Sequence, residues 1–220
     1  MLDLIITDAA VLFPDGKVRT GQTVEVKDGV IKAVRPFDSE DLEKEAGERI
    51  SGSGKLLMPG LADCHMHTGQ QLLKGRVLDA LPMIWTRIML PFESTLTEEK
   101  MRLSASLAAM EMIKSGTTAF VDAGSYYMEA AAEVYVRSGL RGLLSASTMD
   151  EKGLPASIAQ NADEAVAQTD RLYDAYDGRG NLKVAYSLRS LISCSDELNR
   201  KAAERARERG AKLQAHMNEY

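Results

Sequence analysis

The chain has 220 residues, of which 45% are hydrophobic and 27% charged, a composition typical of an ordinary globular protein with a sizeable core. Its net charge of −5 argues against a nucleic-acid partner. The N-terminus lacks the basic region of a signal peptide, and no stretch approaches the ~20 apolar residues of a membrane span. The two cysteines, Cys64 and Cys194, are too few for a disulfide framework and favour a cytoplasmic protein.

Residues 1–55 predict a small β domain. Residues 2–6 show the two-residue period of a strand, and Asp28-Gly29 is a hairpin signal before the apolar stretch 30–34. The acidic stretch 38–48 is predicted to be a solvated loop or a short helix, and residues 51–54 a turn or linker.

From residue 56 onward, short apolar strands alternate with helices. The predicted strands are 56–65, 117–122, 140–147, 182–187 and 212–216. Strands of this kind are typical of a parallel sheet of the barrel type, and a complete barrel takes about 250 residues. The fold class is therefore predicted to be α/β, with residues 56–220 forming the first five β-units of a (β/α)8 TIM-like barrel. Because such an arc leaves two sheet edges open, we expect it to be part of something larger or to be completed by another chain.

The predicted helices carry recognisable end signals. Thr97 is a predicted N-cap, Leu96 and Met101 are spaced as a hydrophobic staple, and Gly116 ends the helix. This helix carries four apolar residues on one face: Leu103, Leu107, Met110 and Ile113. The stretch Ser157-Ile158-Ala159-Gln160 predicts a capping box that opens a later helix.

The three histidines of the chain all lie at predicted strand ends. His65 and His67 are two residues apart, so on a strand their side chains leave the same face, and His216 ends the fifth strand. A single histidine in such a place more often packs or lies on the surface. Three together predict a metal site that leaves positions open for water. Glu219 could reach such a water to transfer a proton, the alternative being a solvated glutamate.

These residues lie within motifs that resemble the amidohydrolase superfamily. The stretch from Met58 to His67, Met-Pro-Gly-Leu-Ala-Asp-Cys-His-Met-His, resembles its first-strand signature. The resemblance is greatest to the heteroaromatic-amine deaminases, which include methylthioadenosine and S-adenosylhomocysteine deaminases, guanine deaminase and triazine hydrolases. It is supported by the stretches 72–75, 81–85, 91–93, 115–119 and 216–219. It implies that residues 1–55 form the N-terminal part of a small β-sandwich beside the barrel.

The resemblance implies one divalent metal ion, with zinc expected and iron or manganese as alternatives. His65, His67 and His216 match the first three metal ligands, and Glu219 matches the catalytic acid/base. In this family a metal-bound hydroxide attacks the carbon that bears the exocyclic amine, and ammonia leaves. The family also uses a histidine after strand six and an aspartate after strand eight, which have no counterpart in these 220 residues. The isolated chain is therefore expected to be inactive, and measurable turnover by it would contradict this expectation.

Four further residues are candidate substrate contacts. Gln70 and Arg189 look like guanine deaminase positions that touch the base, whereas residues 72–76 look more like the adenosine-type group. Trp85 and Glu93 could line the pocket in either case. Their structural alternatives are a core tryptophan, a solvated glutamate and, for Arg189, a structural ion pair.

The leading hypothesis is a cytoplasmic, metal-dependent hydrolase of C–N bonds that deaminates a purine-like or other heteroaromatic amine, such as an adenosine-type thioether nucleoside or guanine. A ring-opening or amide hydrolase of the same superfamily, similar to imidazolonepropionase, is a second hypothesis. A third is a non-catalytic truncated protein that needs a partner chain. The expected partners are a small-molecule substrate and either further copies in a homo-oligomer or a complementing C-terminal chain, with neither nucleic acid nor a membrane.

Overall fold

The computed structural model of the protein describes residues 1–77, 83–190 and 192–217. Its strands are β1 Leu2–Leu12, β2 Val18–Lys27, β3 Val30–Pro36, β4 Ala46–Ser51, β5 Leu56–Leu57, β6 Leu61–Met66, β7 Thr117–Asp122, β8 Arg141–Leu144, β9 Leu182–Leu188 and β10 Lys212–Ala215. Its α-helices are α1 Leu90–Glu93, α2 Glu98–Ser115, α3 Met128–Ser138, α4 Ala162–Tyr176 and α5 Asp196–Glu208. Short 3₁₀ helices span Ser39–Leu42 and Thr68–Leu73, and a π-helical turn spans Trp85–Met89. Within the described ranges, no helix has the length and apolar character that crossing a bilayer requires.

The chain divides into two compact units, Met1–Gly60 and Leu61–Tyr220. The domain boundary predicted after residue 55 lies shortly before this division. In the first unit, β1 pairs with β2 in antiparallel fashion and with β4 and β5 in parallel, while β3 joins the outer side of β2. The hairpin predicted at Asp28-Gly29 is confirmed, since both residues have positive φ angles, of 55° and 68°.

The acidic stretch 38–48, predicted to be a solvated loop or a short helix, matches that prediction only in part. It contains the short helix Ser39–Leu42 but also runs into β4, which pairs with β1. Asp41 is only 1% exposed, and its carboxylate accepts hydrogen bonds from Arg35 at 2.8 Å and from the Thr23 hydroxyl at 2.8 Å. The Arg35 guanidinium holds the pKa of Asp41 well below its usual range. The acidic composition of this stretch therefore did not predict that one of its carboxylates, that of Asp41, is buried and paired.

The second unit contains the predicted arc of parallel strands, in the order β10-β9-β8-β7-β6. The α/β fold class and its barrel-type sheet are confirmed. The core between sheet and helices includes the buried side chains Met101, Phe120, Tyr135, Leu144 and Leu172. The single strand predicted over 56–65 was wrong, because β5 pairs with β1 in the first unit and β6 begins at Leu61. The Pro59-Gly60 break separates the two strands.

Both ends of α2 were predicted correctly, whereas its apolar face does not lie in the core. The Thr97 hydroxyl accepts a hydrogen bond from the Lys100 N–H, and Gly116 ends the helix with a φ angle of 80°. Three of the four apolar residues of the predicted face are exposed, namely Leu103, Met110 and Ile113. The buried face instead carries small residues and methionines: Met101, Ser104, Ala105, Ala108, Ala109 and Met112.

The start of α4 also differs from the prediction. Asn161, and not Ser157, is the N-cap: its side chain accepts from the Glu164 N–H at 2.9 Å, while Glu164 accepts from the Asn161 N–H at 2.8 Å. The Ser157 hydroxyl donates to the Ser94 carbonyl at 2.8 Å instead. Two capping patterns follow one another, over 157–160 and 161–164, and the Ser157 hydroxyl of the first bonds to Ser94 and not to a helix N-terminus.

Candidate metal centre

The structure brings all three histidines together at the carboxyl ends of two strands. His65 is the penultimate residue of β6, His67 directly follows that strand, and His216 directly follows β10. These are the outer strands of the sheet, which in a flat sheet would lie roughly 19 Å apart, four spacings of about 4.8 Å. The rings of His65 and His67 nevertheless lie 5.0 and 5.1 Å from that of His216. The sheet is therefore curved like a barrel wall, and this curvature assembles the cluster.

The geometry of the cluster fits a single metal ion. One ligand atom from each imidazole can be chosen so that all three lie within 4.8 Å of one another. The Nε2 atoms of His67 and His216 are 3.2 Å apart, close to the roughly 3.3 Å expected for two nitrogens on a tetrahedral zinc with Zn–N bonds of 2.0–2.1 Å. Three imidazole nitrogens form a donor set suited to zinc or iron, with positions left for water and substrate.

His67 has the protonation state that a metal ligand requires. Its Nδ1–H donates to the Gly124 carbonyl oxygen at 3.1 Å, because that oxygen can only accept, and Nε2 is left to face His216. Burial lowers the pKa of His67 to about 3, and the positive charge of Arg189 acts in the same direction. At neutral pH the ring is therefore uncharged and presents the Nε2 lone pair to the centre of the cluster.

The four candidate substrate contacts form one group beside the histidines, in which Gln70 is half-buried and the other three are buried. Arg189 pairs with Glu93 at 3.0 Å, and Gln70 donates to the same carboxylate oxygen at 2.6 Å. Arg189 also donates to the Gly124 carbonyl at 3.2 Å, and its guanidinium lies 5.8 Å from the centre of the Trp85 ring. Glu93 is 1% exposed, so its reading as a solvated glutamate was wrong. The ion pair expected as the alternative for Arg189 is present, and Trp85 is buried.

Removing the charge of Arg189 is expected to destabilise the fold. Arg189→Met should lower the free energy of unfolding by about 3–5 kcal/mol, since it leaves the Glu93 carboxylate buried without its counter-charge. The double variant Arg189→Met/Glu93→Gln should recover much of that loss. Urea denaturation followed by circular dichroism measures both free energies.

An exposed ion pair supplies the control for this experiment. Lys74→Met removes the exposed contact with Glu111 and should cost at most about 1 kcal/mol. Equal costs for the Arg189 and Lys74 variants would contradict the prediction.

Glu219, the predicted acid/base, lies outside the described residues, as do Leu81 and Pro82 of the motif that precedes Trp85. The structure therefore leaves the position of Glu219 a prediction.

The structure also reveals a buried carboxylate that the sequence reasoning missed. Asp122, the last residue of β7, is 0% exposed and accepts hydrogen bonds from the N–H groups of Thr68 and Gly124. Burial raises the pKa of its carboxyl, and the bonds from Thr68 and Gly124 act in the opposite direction. Its place at the carboxyl end of a barrel strand was the available signal, but an aspartate there can equally be a strand-ending turn residue.

Gly124 is the other residue that was missed, and its backbone geometry explains the residue type. Its φ angle is 108°, and a Cβ placed there would lie 2.9 Å from the Ser187 hydroxyl oxygen and 3.1 Å from the Ala146 carbonyl oxygen. Only glycine fits this position without displacing its neighbours. The close approach allows the Gly124 carbonyl to reach the His67 ring.

Comparisons with known proteins agree with this geometry. The sequence model of the amidohydrolase family matches residues 56–220. A 5'-deoxyadenosine deaminase from Methanosarcina mazei is 33% identical over 100% of this chain and 50% of its own length. A 5-methylthioadenosine/S-adenosylhomocysteine deaminase from Thermococcus onnurineus is 32% identical over 96% of this chain and 50% of its own.

A similar solved structure is that of a zinc-bound adenosine deaminase from Xanthomonas campestris. It is 27% identical with a TM-score of 0.88, over 98% of this chain and 49% of its own. The chain thus spans about half the length of the curated relatives it matches. The family match covers most of the sequence and includes all three clustered histidines. The chain belongs to the amidohydrolase family.

Proposed function

We propose that this chain contributes the metal-binding side of a hydrolytic deaminase site that acts on a purine-like or other heteroaromatic amine. The observation that carries the proposal is the cluster of His65, His67 and His216, whose ligand atoms lie within 4.8 Å of one another at strand ends. The zinc in the similar Xanthomonas campestris structure supports a metal at this cluster. Zinc is the proposed ion, with iron or manganese as alternatives that use the same nitrogen donors.

The residues of this chain would divide the chemistry among them. A bound ion of this kind supplies a Lewis acid that lowers the pKa of a coordinated water to about 7. The three histidines hold the ion, and the neutral state of His67 keeps its lone pair available at neutral pH. Glu219 would move a proton from the attacking water to a ring nitrogen of the substrate. The net reaction consumes one water, replaces the exocyclic amine with oxygen and releases ammonia.

The relatives and the group of Gln70, Trp85, Glu93 and Arg189 support the proposed substrate class. The names of the Methanosarcina mazei and Thermococcus onnurineus relatives support an adenosine-type nucleoside. Glu93 Oε2 is buried and has no hydrogen-bond partner among the described residues, so it could accept a bond from a substrate donor. Because Arg189 and Gln70 resemble guanine deaminase positions that touch the base, guanine stays a candidate substrate. Cytoplasmic location and association with further copies or a complementing chain stay predictions.

Metal analysis together with an ammonia assay tests this proposal. The purified protein should bind zinc, iron or manganese at about one ion per site. Together with the further copies or complementing chain that complete its site, it should also release ammonia from adenosine-type nucleosides or guanine within a panel that includes pterins, triazines and cyclic amides. Absence of any bound metal would overturn the proposal, and hydrolysis of the cyclic amides alone would point to the ring-opening class. In the same assay, the isolated 220-residue chain is expected to be inactive.

A further inference from the structure

Asp122 lies next to the metal centre but outside the set of proposed ligands. Its carboxylate accepts the Thr68 N–H at 2.9 Å on one oxygen and the Gly124 N–H at 2.8 Å on the other. The Thr68 hydroxyl donates to the first oxygen as well. The side chain is fully buried, so water does not compete for these bonds.

Both partners of this carboxylate adjoin His67. Thr68 directly follows His67 in the chain, so the bond to its N–H holds the peptide on the carboxyl side of the histidine. Gly124 donates its N–H to Asp122, and its carbonyl accepts the His67 Nδ1–H, 3.1 Å away. One carboxylate therefore restrains the backbone and the ring of the same histidine.

The backbone around Asp122 also contacts the strand that carries His216. The Asp122 carbonyl accepts a hydrogen bond of 2.8 Å from the side-chain amide of Gln214, which lies on β10 two residues before His216. The next residue, Ala123, donates its N–H to the Met66 carbonyl at 2.9 Å, between His65 and His67. The end of β7 thus joins the two outer strands at the level of their histidines.

We infer that Asp122 is a positioning residue of the metal centre, which acts through Thr68 and Gly124 to orient the His67 ring with its Nε2 toward the ion. The inference rests on the function proposed above. It follows the general pattern that partners of a ligating histidine fix its tautomer and direction, and that their loss costs about 10–100-fold in metal affinity. Asp122 itself is not among the clustered ligand residues.

The Asp122→Asn variant tests this inference by metal affinity. An asparagine has the same shape, but its NH₂ group cannot accept, so either Thr68 or Gly124 loses its partner. The dissociation constant for zinc, measured by competition with a chromogenic chelator, should rise about 10–100-fold relative to the wild-type protein. An affinity within about twofold of wild type, in a variant that is folded by circular dichroism, would overturn the inference.

A second carboxylate with similar bonds provides the matched control. Asp150 accepts the Ser195 N–H at 2.7 Å and the Ser195 hydroxyl at 2.5 Å, where α5 begins. Asp150→Asn removes the same kind of bond from Ser195, which is not adjacent in the chain to a histidine, so zinc affinity should stay at the wild-type value. An equal loss in both variants would show a general effect of folding and would also overturn the inference.

Nitrogen-15 NMR of the zinc-bound wild-type protein supplies a measurement that needs no variant. The His67 ring should carry its proton on Nδ1, protected from exchange by the Gly124 carbonyl, and bind zinc through Nε2. A ring protonated on Nε2 would contradict the inference even if Asp122→Asn does not fold. A wild-type protein that binds none of zinc, iron and manganese would refute the proposed function and this inference together. Normal wild-type binding with an unchanged Asp122→Asn affinity refutes the inference alone.

Discussion

Replacing His67 with alanine is expected to weaken zinc binding strongly and to abolish ammonia release by the active form of the protein. His67 contributes one of three ligand nitrogens, and its Nε2 lies 3.2 Å from that of His216. Loss of an outer partner of a ligand already costs about 10–100-fold in affinity, so loss of the ligand itself should weaken zinc binding by more than about 100-fold. Chelator competition measures the affinity, and the ammonia assay measures turnover.

A neighbouring cysteine provides the control for this variant. Cys64 is exposed and directly precedes His65, yet it is not part of the clustered ligand atoms. Cys64→Ala should therefore leave the zinc affinity unchanged, although thiolates are good zinc ligands. Wild-type affinity in the His67 variant, or a large loss in the Cys64 variant, would show that the ion binds elsewhere.

Glu219→Gln is expected to separate metal binding from turnover. If Glu219 transfers the proton without ligating the ion, the Glu219→Gln protein should bind zinc with an affinity close to wild type. In the form of the protein that releases ammonia, kcat should fall about 10²–10⁴-fold, the usual contribution of a general acid/base. Steady-state kinetics and the chelator titration, carried out on the same preparation, measure the two effects.

A surface glutamate of the same unit serves as the comparison. Glu197 is exposed on α5 and pairs with Lys201 at 2.6 Å. Glu197→Gln should leave both turnover and zinc affinity unchanged. The role proposed for Glu219 would be wrong if Glu219→Gln kept full turnover, and it would be that of a ligand if the variant lost zinc.

These variants and Asp122→Asn form a graded series. The His67 variant removes a ligand, Asp122→Asn removes a restraint on the orientation of that ligand, and Glu219→Gln leaves the ligands intact. Zinc affinity should therefore be lowest in the first, intermediate in the second and near wild type in the third. A different order would reassign the roles of these residues.

The sequence alone determined the features that depend on local chemistry. The positive φ angles at Asp28 and Gly29, the Thr97 cap and the Gly116 end of α2 follow from residue types that favour these conformations. The alternation of strands and helices indicated a parallel barrel-type sheet, because buried parallel strands read as short apolar runs. The same strand assignments placed every histidine at a strand end.

Tertiary structure decided which of these residues meet and which side chains are buried. The apolar face of α2 is exposed, since the small residues on its other side pack closely, and Asp41 is buried because Arg35 supplies its counter-charge. The pairing of Glu93 with Arg189 joins residues 96 positions apart. The bond between Asp122 and Thr68 spans 54 positions. Such contacts form only when folding brings distant segments together, and no local propensity encodes the distance between chain segments.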